Sequence, residues 1–350
     1  MAFGSAPGHG NLPNGVFSPT IYSKKVQKTY RKKAVIEAIT NNDYFGEISA
    51  FGDTVKIINE PEITIVPYAR GAKVVPQDLD DSDFSLTVDR ANYFAFKIDD
   101  IETSQSHVNW ETLASDRAAY KMAQAIDRDV LGYLTGFAED TGAWVARTAA
   151  VGSNAEATAD SDELLAIHKL TKNAFSTSGT STFSIPVGVS GTYDATPLAV
   201  LNRMKRLLDE QNVDEDGRWV VVDPVFVELL NDEDSKLIQN DWAGGQDAGD
   251  MLRNGKVSRG KIRGFDVFVS NNLVSIGSGP ATVTADGSNT NYGFIVAGTT
   301  PAVATAQQLV KTEKLRATDT FGDIVRGMHL YGRKILRPEA LVRAKWNWSK

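Results

Sequence analysis

A chain of 350 residues without a cysteine has room for a sizeable core and two or three packed sub-domains, and it excludes a disulfide framework or a thiolate site. No run approaches the roughly 20 apolar residues that span a bilayer, and the opening Met-Ala-Phe-Gly-Ser-Ala-Pro-Gly-His-Gly lacks the basic-then-apolar pattern of a secretory leader. A net charge of -7 argues against a surface devoted to tight nucleic-acid binding.

Residues 1–20 are rich in Gly, Pro, Asn and Ser and read as a flexible arm. Residues 1–36 hold six basic groups (Lys24, Lys25, Lys28, Arg31, Lys32, Lys33) and no acid. The basic stretch 24–33 runs into 34–39 as a short helix with a weak apolar stripe. Residues 54–98 are β-rich. A first strand covers 55–58, Asn59-Glu-Pro-Glu62 supplies turn chemistry, and 63–68 is a second strand. A polar stretch from Arg70 to Asp83 follows. The return strand alternates, with Phe84, Leu86 and Val88 on one face and Ser85, Thr87 and Asp89 on the other. The same parity continues through Phe94, Phe96 and Ile98. These strands describe an extended hairpin with a charged tip, poorly stable unless it lies on something. Residues 76–102 carry eight acids (Asp78, Asp80, Asp81, Asp83, Asp89, Asp99, Asp100, Glu102) against Arg90 and Lys97. Two solvated surfaces account for this charge split, and so do complementary surfaces on neighbouring copies of the chain.

The strongest helical pattern covers 109–137. Asn109 can cap, Glu111 suits the first turn, and Leu113, Tyr120, Ala123, Ile126, Val130, Leu134 and Phe137 form the apolar stripe. Asp116, Arg117, Lys121, Asp127 and Arg128 fall between them. Such a helix, about 43 Å long, suits a strut. Residues 138–160 read as a loop, and Asp160-Ser-Asp-Glu163 opens a helix through Leu164, Leu165, Ile167 and Leu170 to about 175. A second polar stretch covers 176–196. Thr196-Pro197 starts a helix through Leu208, Asp216-Gly217 turns into the strand 219–222, and Asp223-Pro224 starts a helix to 230. Residues 231–264 are rich in Gly and Asp, 265–269 is a strand, 275–291 is an exposed loop, and 292–297 returns as a strand. The middle of the chain, 160–300, is therefore an α/β unit. In the final segment, 305–346, Phe321, Ile324, Val325 and Met328 fit a helix while Met328, Leu330 and Ile335-Leu336 fit strands, and 340–346 reads as a strand.

Catalytic signals are weak. His9, His107, His168 and His329 show no ligand spacing, and His329 reads as a packed residue. Gly255-Lys-Val-Ser-Arg-Gly260-Lys261 approaches a phosphate-binding loop, but Ile262 stands where a magnesium-binding hydroxyl belongs. Asp78, Asp80, Asp81 and Asp83 lack the glycine and distal glutamate of a calcium loop. No catalytic, cofactor or metal residue is assigned. The basic arm with Tyr22 and Tyr30 fits either nucleic-acid contact or docking on an acidic neighbour, and the acidic segment favours docking.

The order of parts is arm, long hairpin, long helix, α/β unit and returning strands. With Gly52-Asp-Thr-Val55, Leu86-Thr-Val-Asp89, Tyr93-Phe-Ala-Phe-Lys-Ile-Asp-Asp100, Trp219-Val-Val-Val-Asp-Pro224, Gly264-Phe-Asp-Val-Phe-Val-Ser-Asn-Asn272, Tyr331-Gly and Leu336-Arg-Pro-Glu-Ala-Leu341, it resembles the major capsid family of tailed bacteriophages. The resemblance implies an α+β, Hong Kong 97-like capsid fold. An N-terminal arm (1–45) would precede an extended hairpin loop (46–102). A peripheral domain (103–160 and 300–350) would hold the spine helix 109–137 and a sheet, and a central α/β axial domain would span 161–299. It implies strands, not a helix, around 321–328.

It also implies a virion protein made in the host bacterial cytoplasm. Copies would form hexamers and pentamers of an icosahedral head around double-stranded DNA, contacted non-specifically. Scaffolding, portal and cement proteins are the implied partners, with no cofactor. Heterologous contacts that close into rings generate such capsomers. The candidate inter-subunit residues are Arg70 and Lys73, pairing with carboxylates of a neighbour, and the acidic tip Asp78, Asp80, Asp81 and Asp83. Some members crosslink a lysine of this loop to an asparagine, for which Lys56 or Lys73 with Asn347 are the nearest candidates; non-covalent assembly is preferred. An encapsulin-type compartment shell, a soluble nucleotide-binding enzyme using 244–264 and a nucleic-acid module built on the arm are the competing readings.

Overall fold

The computed structural model describes residues 34–43, 54–58, 63–71, 73, 76–77, 83–105, 110–140, 142–146, 164–175, 183–188, 194–232, 261–280, 291–318 and 320–348. The basic stretch 24–33, Asp78, Asp80, Asp81, the helix start at 160–163 and the glycine-rich 244–260 lie outside the described residues. A one-turn helix α1 (Ile36–Ile39) opens the described chain and buries Ile36 and Ile39. Strands β1 (Thr54–Ile58) and β2 (Asp83–Thr87) pair antiparallel, with Thr54 opposite Thr87 and Ile58 opposite Asp83. The base of the expected hairpin is therefore present. The strand expected at 63–68 is not: that segment sits in no ladder. Its apolar side chains have no sheet face within the described chain to bury against.

Strand β3 (Arg90–Asp99) keeps the expected parity, with Asn92, Phe94, Phe96 and Ile98 turned inward and Tyr93, Ala95 and Lys97 outward. A short helix α2 (Asp100–Gln105) follows, and then the long helix α3 (Trp110–Thr135). Its 26 residues span about 39 Å at 1.5 Å per residue. Only its last turns are fully buried, through Val130, Leu131, Tyr133 and Leu134. Gly136, at φ 82°, ends it in the left-handed conformation that favours glycine. The chain then returns in the small hairpin β4 (Phe137–Asp140) and β5 (Ala143–Ala146).

The helix expected from 160 to 175 is absent among the described residues. Residues 166–168 and 172–174 are single 3₁₀ turns flanking β6 (Lys169–Leu170). Leu165 adopts ψ 139°, which breaks a helix, and Leu165 and Ile167 face solvent while Leu164, His168 and Leu170 are buried. Pairing of Leu170 with Ala344 overrides local propensity. The following polar stretch contains a further strand, β7 (Ile185–Val187).

The central unit then forms as its caps dictate. Helix α4 (Pro197–Glu210) starts at Thr196, whose hydroxyl accepts from Ala199 N–H at 3.2 Å. After β8 (Arg218–Val222), helix α5 (Pro224–Leu230) starts at Asp223, whose carboxylate accepts from Phe226 N–H at 3.0 Å. Both helices carry proline at the first position, where no N–H is needed. β9 (Asp266–Val269) runs parallel to β8. β10 (Ser275–Ile276) lies within the segment read as loop and pairs with β11 (Tyr292–Thr299).

Strands β12 (Val303–Arg316) and β13 (Gly322–Ile335) form an antiparallel pair, and β14 (Leu341–Trp348) closes the described chain. The helical spacing at 321–328 loses to strand parity. Val325 is buried, whereas Phe321 and Met328 are exposed. Gly327 lets the Phe94 ring lie on the backbone, since a Cβ there would come within 2.4 Å of it. β12, β13 and β3 form a three-stranded sheet, while β14 joins a seven-stranded sheet in the order β6-β14-β11-β8-β9, with β7 on β14 and β10 on β11. The closing strand is thus hydrogen-bonded to the central unit and not to β12–β13.

The seven-stranded sheet has an apolar layer on each face. Val220, Val222, Ile295, Ala297, Val342, Ala344 and Trp346 point toward α4 and α5. Trp219, Val221, Val296 and Leu341 point toward α1 and the end of α3. Trp346 is fully buried, with its ring edge-on to Phe226 at 5.2 Å. Trp346→Ala is expected to lower stability by about 3–5 kcal/mol, read from chemical denaturation.

Candidate interaction surfaces

The described residues hold no group of three metal-binding side chains, and no described helix is long and apolar enough to cross a membrane. His168 and His329 are both buried. The His168 Nδ1–H donates to Leu341 O at 2.9 Å, and His329 stacks on Tyr331 with ring centroids 5.4 Å apart. Burial holds both imidazoles below the ordinary histidine pKa. Ile262, from the near phosphate loop, bridges to Phe265 across a turn through Arg263 and Gly264. No helix N-terminus follows it to cradle a phosphate.

Two carboxylates on α3 organise the interior. Asp127 is buried, and its Oδ1 accepts from Val35 N–H at 2.8 Å and Ile36 N–H at 3.1 Å. Its Oδ2 accepts from Asn272 Nδ2 at 2.5 Å. Helix α1 has no side-chain cap of its own, so Asp127 caps it from 91 residues away. Burial pushes the Asp127 pKa up, partly offset by these hydrogen bonds. Asp129 pairs with the buried Arg333 and accepts from Tyr331 OH at 3.1 Å. Arg333 also stacks 4.5 Å from the centre of the Tyr133 ring. Sequence reasoning set Asp127 among the polar positions. Its spacing from Ala123, Val130 and Leu134, four, three and seven residues, places it on the apolar stripe itself, which was the available signal. Asp127→Ala orphans two buried amides and is expected to cost about 1–3 kcal/mol, with faster hydrogen exchange at 35–40.

At the far end of the three-stranded sheet lies an exposed ion network. Arg316 pairs with Asp100 and with Asp323, the latter at 3.2 Å. Lys314 pairs with Glu111 at 2.8 Å and Asp323 at 3.3 Å, and Arg326 pairs with Glu313 at 2.8 Å. Hydrogen bonds from Lys311 and Arg326 hold the Glu313 carboxyl down to about 2. The network ties α2 and the first turn of α3 to β12 and β13. Asp100, part of the acidic segment, is therefore engaged within its own chain.

A run of exposed apolar side chains lies between β1 and β2. Ile63, Ile65, Val66 and Tyr68 are 69%, 93%, 74% and 69% exposed. Arg70 and Lys73 follow them, also exposed. Asp83 opens β2 beside Ile58. The described structure brings Arg70 and Lys73 onto one exposed segment. Asn347 is fully buried, opposite Pro186. It offers no side-chain amide to a lysine of another copy, and the crosslink considered from sequence loses its acceptor.

The whole chain resembles solved phage structures. The capsid asymmetric unit of cyanophage Pam1 matches with a TM-score of 0.67 and 16% identity, over 95% of this chain and 97% of that one. The capsid of Ralstonia phage GP4 matches with a TM-score of 0.65 and 15% identity, over 99% of each chain. A structure from Mycobacterium phage Che8 matches with a TM-score of 0.66 and 23% identity, over 94% of this chain and 97% of that one. This chain has the phage-capsid fold. No protein-family model and no curated protein matches the sequence significantly.

One cation of the phage-capsid fold here is poorly solvated. Lys345, on β14, lies 4.0 Å from the centre of the Tyr292 ring. Burial, with Arg343 beside it, pulls its pKa from 10.5 down to about 8. The unfolded chain binds this proton more tightly, so stability rises as pH climbs from about 8 to about 10.5. Lys345→Met is expected to flatten that rise, seen as a smaller pH-dependent gain in denaturation midpoint than in the wild type.

Proposed function

We propose that this chain is a major capsid protein whose copies assemble into hexamers and pentamers of an icosahedral phage head enclosing double-stranded DNA. The observation that carries the reading is the match to phage capsid structures along nearly the full length of both chains. The exposed apolar strip at 63–68 supports it independently. Burying each such side chain is worth about 1.5–3 kcal/mol, and the described subunit leaves all four uncovered.

In this reading the 46–102 segment reaches onto an adjacent copy, and Arg70 and Lys73 pair there with carboxylates, for which the acidic tip Asp78, Asp80, Asp81 and Asp83 is the nearest source in sequence. Residues 103–160 with 300–350 form the peripheral part of the subunit, and 161–299 the axial part around which capsomers close. The arm 1–45 docks on a neighbour. Scaffolding, portal and cement proteins are the heterologous partners, and packaged DNA is touched without sequence preference. The reading assigns no catalytic residue and places the protein in the virion after synthesis in the host cytoplasm.

Negative-stain microscopy of the protein, expressed alone and with a scaffolding partner, tests this directly. Uniform icosahedral particles are expected, and persistent monomers in both preparations would sink the proposal. Nuclease-protected DNA in particles from infected cells separates a phage head from a compartment shell loaded with protein. The double variant Arg70→Glu, Lys73→Glu is expected to leave the subunit folded and to abolish particle formation. Normal assembly of that variant would refute the charge pairing.

A further inference from the structure

The side of the seven-stranded sheet that faces α3 changes character along β14. Leu341 belongs to the apolar layer under α1 and the end of α3. Strand side chains share a face at every second residue, so Arg343 and Lys345 continue that face beyond the layer. The register adds their neighbours. Phe294 of β11 is opposite Lys345, and Lys169 of β6 is opposite Arg343. Residues paired across a ladder stand on one face, so these three cations stand together, and all three are half-buried.

Two of them are held in place. Arg343 donates to Thr135 O, at the end of α3, where helix carbonyls need outside donors. Its guanidinium lies 5.5 Å from the centre of the Phe294 ring. The Lys345 Nζ lies 4.0 Å from the centre of the Tyr292 ring, which is itself edge-on to Phe294 at 5.6 Å. Burial and the Arg343 guanidinium both disfavour the charge of Lys345 and hold its pKa at about 8. An anion set beside the two cations would relieve both effects.

A buried hydroxyl marks the same place. Ile185 of β7 is opposite Trp346, which sets Ser184 beside Lys345 on the edge of β14 that β6 and β7 share. Ser184 is fully buried, and its Oγ has no hydrogen-bond partner among the described residues. Such a group in a native interior calls for an explanation, and an oxyanion at Lys345 would supply the missing acceptor.

We propose that Arg343, Lys345, Lys169 and the Ser184 hydroxyl form a binding site for a phosphate group. A guanidinium grips oxygens as a planar fork, and ammonium groups act as point charges. With a hydroxyl added, the donors outnumber the two oxygens of a carboxylate and suit the several oxygens of a phosphate. Free phosphate and the phosphodiester backbone of DNA present this same chemistry. The site lies within one chain, so the unassembled full-length protein tests it, and particle formation bears only on the shell reading.

The probe is inorganic phosphate, exchanged for chloride at constant ionic strength. Limiting acylation of lysines by an N-hydroxysuccinimide ester, read by mass spectrometry near the Lys345 pKa of about 8, reports the neutral amine. Phosphate is expected to slow acylation of Lys345 several-fold and saturably, with Lys205 of α4, across the sheet, unaffected. Ser184→Ala leaves no buried group orphaned and should weaken that protection several-fold, as should Lys169→Gln. Absence of protection, protection that chloride matches or Lys205 shares, or full protection in either variant overturns the proposal. A DNA duplex that protects Lys345 at lower phosphate concentration supports the site with DNA as its source, and protection by inorganic phosphate alone supports it with the free ion. An aspartate-rich peptide that protects better than either would assign a carboxylate ligand and overturn it.

Discussion

Strand parity in β8, β11 and β14 is the constraint on which the subunit depends. Each strand carries apolar side chains on both faces, so each must be covered twice. Val220 and Val222 meet α4 and α5, while Trp219 and Val221 meet α1 and the end of α3. A one-residue slip in any of these strands would exchange its two sets, turning Trp219 in β8 or Trp346 in β14 to the wrong face. The long helix is fixed by the second face, with only its last turns over the sheet. Its first turns extend along β3, where Lys314 and Glu111 hold them.

That arrangement explains where polar groups were placed inside. Asp127 and Asp129 sit near the end of α3 that is covered, and each serves a segment distant in sequence. One caps α1, and the other holds Arg333 of β13. A buried carboxylate is tolerable only when its oxygens are occupied, and both oxygens of Asp127 are. The interior is thus specified, and among the described residues the longest run of exposed apolar side chains is the 63–68 segment, with Tyr93 of β3 and Phe321 before β13 also 81% and 80% exposed.

Much of this was legible from sequence where local chemistry and tertiary context agree. Thr196-Pro197 and Asp223-Pro224 announce their helices because capping is a local interaction. The parity from Leu86 to Ile98 survives because one sheet face is buried throughout. Reading failed where a distant partner decides. Leu164 to Leu170 carries helical spacing, yet pairing with β14 extends it. Phe321 to Met328 carries helical spacing too, but there the strands implied by the resemblance hold, and Gly322 and Gly327 admit their close neighbours. Residues 63–68 alternate like a strand but lack a ladder, since no described strand lies beside them to pair with. Asp127 escaped because a carboxylate on an apolar stripe reads as solvated until its donors, 91 and 145 residues away, are brought to it.

The place of β14 also sets a clock. It lies between β6 and β11, so the central sheet keeps a gap in its middle until residue 348 has left the ribosome. Before then β11 has one open edge, and α4 faces a floor that is missing Val342, Ala344 and Trp346. The central sheet therefore packs only once β14 has joined it, and the half-covered faces of that waiting sheet are what a chaperone would meet first.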